Sequence, residues 1–128
     1  MHVTPSRRAF AHDAVVVLDG DGDDRAPGGA ITLALCGSWT HEPPCPLSPH
    51  HTATARDGDR VHLRVLFAAA ANDEPRVRDL VAEALEGGES TGPDGVRTSW
   101  RLLEQNRSEV RPEEQAHADR LAGGLTAN

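Results

Sequence analysis

Asp57-Gly58 stands between two extended, alternating runs, and this dipeptide restricts the possible folds more than any other part of the chain. An Asp-Gly pair flanked by alternating apolar residues is the strongest short-range hairpin signal a sequence carries. On its C-terminal side Val61, Leu63, Val65 and Phe67 alternate with Arg60, His62 and Arg64 in a strand expected to run from Asp59 to about Ala69. On its N-terminal side the run His51 to Arg56 is shorter and more polar. A hairpin with one apolar face needs cover, and the next segment supplies it. Val77, Leu80, Val81, Ala84 and Leu85 recur at i, i+3, i+4, i+7 and i+8, which is one stripe of a helix. Asn72 or Asp73 is its expected cap, Pro75 is tolerated in its first turn, and Gly87-Gly88 ends it.

The flanks extend the same pattern. Ala14 to Leu18 is a short β-branched run and reads as a strand. Ala30 to Cys36 alternates Ile31, Leu33 and Leu35 with Thr32, Ala34 and Cys36 and reads as a second strand. Val96, Thr98, Trp100 and Leu102 alternate with Arg97, Ser99 and Arg101 in a fifth. Pro112 opens a weaker second helix that Gly123-Gly124 closes, with Leu121 as its one large apolar residue. The expected class is α+β with element order ββββαβα. It is a mainly antiparallel sheet of about five strands, with one well-packed amphipathic helix and a weaker C-terminal one. A chain of 128 residues is long enough for a single domain with a real core. That domain is expected over residues 13–124, with flexible ends at 1–12 and 125–128. No period of 20–50 residues repeats.

Charge narrows the function. The net charge is −7, from 13 basic and 20 acidic residues, and the arginines are scattered. Nucleic-acid binding draws much of its affinity from a basic face, so that class is not expected. No apolar run approaches the ~20 residues of a membrane span. Ser6-Arg7-Arg8 lacks the long apolar region that an export signal needs after its paired arginines, and the expected location is the cytoplasm. In that compartment two cysteines point to free thiols or metal ligands more than to a structural disulfide.

Chemistry-bearing residues concentrate between 36 and 51. That window holds both cysteines, three of the seven histidines (His41, His50 and His51), four of the nine prolines and Trp39. Cys36, His41, Cys45 and one of His50 or His51 make a two-Cys, two-His set suited to zinc or a similar borderline-soft ion. The spacing is looser than the Cys-x2-Cys pairs of familiar zinc modules. Pro43, Pro44, Pro46 and Pro49 stiffen the connection and lower the entropy lost on ordering it. The bland alternative is a buried Cys36 and solvent-facing histidines on an inert loop. Two further readings compete: a metal-free protein-interaction module that presents Trp39 on the rigid loop, and a small thiol enzyme built on Cys45 and a histidine. An enzyme is the less favoured reading, because Cys45 lies between two prolines, away from any helix N-terminus.

Two partial resemblances fail at defined positions. Asp19-Gly20-Asp21-Gly22-Asp23-Asp24 resembles the opening of a helix-loop-helix calcium loop, but Asp24 replaces the turn glycine and Ala30 the bidentate Glu. His50-x-Thr52 is one half of the paired signature of the two-histidine phosphoesterases, and the second half is absent because Leu63-Arg64 follow His62.

Counting back from an Asp57-Gly58 turn pairs Arg56 with Asp59, Ala53 with His62 and His51 with Arg64. His51 and His62 would then be diagonal neighbours on the face away from Val61 and Leu63, on the order of 7–8 Å apart. Cys36 would share that face if the second strand joins the sheet. The full set of expected ligands is therefore Cys36, His41, Cys45, His50, His51 and His62.

Overall fold

The computed structural model describes residues 7–20, 22–36 and 48–123. Its elements are β1 (Arg7–Leu18), α1 (Ala26–Cys36), β2 (His50–Asp57), β3 (Arg60–Ala70), α2 (Glu74–Glu86), β4 (Glu89–Thr91), β5 (Arg97–Ser108) and α3 (Gln115–Gly123). Short 3-10 turns, Ala71–Asp73 and Pro112–Glu114, lead into α2 and α3. The five strands lie in the order β2-β3-β1-β5-β4, and every neighbouring pair is antiparallel. The chain is a single small α+β domain.

The segment expected as a second strand is instead a helix, α1. Alternation and helical spacing coincide in so short a run. Ile31 and Leu35, four apart, are buried, while Leu33 between them is only half-buried. Ala and Leu favour helix, and Pro27 fits the first turn. The topology also requires a crossover here. β1 and β2 run parallel with β3 between them, and β3 and β5 run parallel with β1 between them. Parallel strands cannot be joined by a tight turn, so α1 and α2 make the two crossings of a split βαβ arrangement. The strand count still reaches five, because Glu89–Thr91, read from sequence as part of a turn region, pairs with β5.

Two further corrections concern β1 and the hairpin. β1 begins at Arg7, so residues 7–12 belong to the sheet and not to a loose leader. In the hairpin Asp57 pairs with Arg60, which makes Gly58 and Asp59 the central pair. Gly58 has φ +65°, and no described non-glycine residue has a positive φ. A glycine-first turn concentrates the positive φ on the one residue without a Cβ, whereas a central Asp57-Gly58 pair would demand it of Asp57. The register moves by two, so the faces keep the expected sides.

α1 and α2 pack against each other over one face, called inner here. Val77, Val81 and Leu85 of α2 join Ile31 and Leu35 over Val16, Leu18, Val61, Val65, Phe67 and Trp100. The Trp100 indole N–H donates to the Leu85 carbonyl at 2.9 Å. α3 covers the outer face against β1 and β3, and Ala118 of α3, Ala11 of β1 and Leu66 of β3 are all buried. No helix among the described residues is long and apolar enough to cross a membrane.

Candidate functional site

β2 is an edge strand and receives the chain directly after the Cys/His/Pro-rich connection. The Ser48 hydroxyl donates to the Ala68 carbonyl at 2.7 Å, and the Ala68 N–H donates to the Pro49 carbonyl at 2.9 Å. These bonds fix where the connection enters the sheet. His41 and Cys45 lie outside the described residues. Cys36 is the last residue of α1, one helical turn beyond Thr32.

His50 and His51 are consecutive on a strand, so they leave opposite faces. His50 pairs with Phe67 and takes the inner side. Its Nδ1–H donates to the Ser48 carbonyl at 3.0 Å, since a carbonyl can only accept. Its Nε2 lies 3.1 Å from the Thr32 hydroxyl and in the neutral ring accepts from it. Both ring nitrogens are therefore engaged in tying β2 to α1. Gly28, one turn before Thr32, passes close to Thr52; an added Cβ would sit 3.5 Å from its methyl.

His51 pairs with Leu66 and takes the outer side. There it meets His117 of α3, with ring centroids 4.7 Å apart and planes at 56°. A polar network positions His117. Arg64, only 13% exposed, spans Asp13 and Glu114 at 2.9 and 2.6 Å, and also donates to Ser108 Oγ at 2.7 Å and to the Glu109 carbonyl at 2.8 Å. The bidentate bonds from Arg64 hold the Glu114 carboxyl at about 2, well below its ordinary 4.5. Asp13 is also lowered: burial opposes the shift, and the bonds from Arg64 and Ser108 outweigh it. Glu114 precedes His117 by one helical turn, so the Arg64 fork sets the start of α3 and thereby the imidazole. Burial, His51 and Arg120 lower the His117 pKa, and Glu114 opposes them.

His62 is exposed and pairs with Ala55, four residues from His51 along β2 and about 13 Å away at strand rise. It keeps the expected outer side, but it is not a diagonal neighbour of His51. Cys36 ends a helix and not a strand, so it does not share a sheet face with His51 and His62 as expected. Among the described residues no three His, Cys, Asp or Glu side chains gather closely enough to hold a metal. In the acidic 19–24 loop, the Asp23 carboxylate is already occupied by Arg25 at 2.9 and 3.0 Å. Among the described residues His51 is brought against a second imidazole, His117, which sequence reasoning missed. Nothing in the sequence near His117 signals it, because the pairing depends on α3 folding back over the outer face.

Comparison of the chain with protein-family models and with curated proteins finds no match.

Proposed function

We propose that this protein binds a zinc-like metal ion at the outer face of β2, with His51 and His117 as ligands and His41 and Cys45 of the preceding connection completing the set. The observation that supports this is the 4.7 Å between the His51 and His117 ring centroids. Zinc–nitrogen bonds are about 2.0–2.1 Å and a ring centre lies about 1.1 Å further out, so two imidazoles about 90–110° apart on one ion have centroids about 4.5–5.2 Å apart. The ring spacing falls in that interval. His50 is the weaker of the two adjacent candidates, because both of its nitrogens are already bonded. The rigid prolines suit a clip that joins connection, edge strand and α3, and such an ion would stabilise the fold by binding only the native state.

The test is elemental analysis of protein prepared without a polyhistidine tag or chelator, followed by melting with and without a chelator. A near-stoichiometric ion is expected, with a chelator-induced fall in Tm that is absent in His117→Ala and Cys45→Ser and kept in His50→Ala and His62→Ala. Metal-free protein that neither takes up zinc nor melts differently with chelator would end this reading.

A further inference from the structure

A second polar group lies on the inner face, at the opposite side of the central strand from β2. β5 carries a bulge: Val15 pairs with Glu104 and Val16 with Leu102, leaving Leu103 as the extra residue. The bulge reverses the alternation of β5, so Gln105 and Arg107 turn inward opposite Ala14 and His12. They meet Arg78 and Glu74 from the first turns of α2. The Glu74 carboxylate accepts from Arg78 Nε at 2.7 Å and from Arg107 Nη2 at 3.0 Å.

Arg78 is held through its Nε and Nη1 groups and between two aromatic rings. Its Nη1 donates to the Ala11 carbonyl at 2.9 Å and to His12 Nδ1 at 3.3 Å. Its guanidinium lies 5.9 Å from the Phe10 ring centre and 5.2 Å from that of Phe67. His12 holds a single tautomer: Nε2–H donates to Gln105 Oε1 at 2.9 Å, which leaves Nδ1 as the acceptor. Three of the five Arg78 N–H groups are thereby used, and the two on Nη2 have no partner among the described residues. Beside Arg78 opens a cleft of about 400 Å³, walled by Phe10 and Val110 and edged by Arg107 and Glu109.

We infer that this cleft binds a small organic monocarboxylate. Two guanidinium groups already share one carboxylate, Glu74, which leaves unused planar N–H donors facing the cleft. A planar fork of donors favours a carboxylate. Phe10 and Val110 give the ligand's apolar body a surface to cover. Glu109 at the edge brings the four charges to a sum of zero, so the donor fork and not a charge excess holds the ligand, and a monoanion is favoured over the more highly charged phosphate. The guanidinium of Arg78 is preorganised by its fixed partners, so little ordering is needed on binding. None of these residues belongs to the proposed metal set, so the two readings stand or fall separately.

Benzoate is the probe, titrated by NMR into the full chain with inorganic phosphate as the comparison, each with and without chelator. Saturable shifts at Phe10, Arg78 and Arg107 are expected with benzoate and not with phosphate, regardless of chelator. Arg107 is 73% exposed, so Arg107→Gln should fold normally, as its unchanged melting curve would verify, and bind benzoate at least about tenfold more weakly. Unsaturable shifts, equal binding by Arg107→Gln, or phosphate binding as well as benzoate would each overturn the inference.

Discussion

His12 is 6% exposed and lies between a cation and an amide. Burial lowers its pKa below the usual 6.5, the Gln105 bond works against this, Arg78 lowers it further and Asp13 opposes. The unfolded chain therefore binds the proton at a higher pH than the native one. His12 contributes its full share of stability above pH 6.5, and that share is lost as the pH falls through its lowered native value. Denaturant titrations of wild type and His12→Gln from pH 8 to pH 5 should converge on acidification, because only the wild type carries this titration. Curves that run parallel would show that His12 is not buried against Arg78. A separate acid step belongs to Glu114: its stabilisation is present above 4.5 and lost as the pH falls towards about 2. His12 was not legible as a buried residue. From sequence it closed a loose leader, and only its pairing with Val65 and Arg107 places it under α2.

At the scale of elements, α2 was legible from its stripe alone. Val77, Val81 and Leu85 are fully buried, and Leu80 and Ala84 pack partly against the same cluster. Leu85→Ala should cost about 2–5 kcal/mol in denaturant titration, and Leu80→Ala distinctly less. Equal costs would mean that α2 is rotated about its axis, with Leu80 as deep in the core as Leu85. α1 was misread because a run of seven residues can satisfy both periods, and length was too short to decide between them. The hairpin was legible in existence and in the parity of its faces but not in register. Parity follows from alternation, while the two-residue shift follows from which residue must take the positive φ. That shift places His62 opposite Ala55, four residues along β2 from His51.

At the scale of the whole molecule, the sheet is covered on its inner face by two crossover helices and on its outer face by α3. α3 brings little large apolar surface; it is held by Ala118 at the sheet and by the Glu114–Arg64 pair beside its first turn. A chain ending at Val110 would uncover Ala11 and Leu66 and leave Arg64 without one of its two carboxylates. Its Tm should fall by more than in full-length Glu114→Gln, which removes the ion pair and keeps the apolar cover. Equal losses would mean that the ion pair, and not apolar cover, is what α3 supplies. The sequence by itself determined the α+β class, the position of α2, the hairpin and its faces, and the C-terminal helix, because each follows from a local period or a turn residue. The tertiary structure alone decided that α1 is a crossover, that β1 lies at the centre, and that His51 meets His117 while His12 meets Arg78. Those contacts join residues 66 positions apart in each case, through strand order and helix placement. No local period records such choices; they follow from burying both faces of one sheet at once.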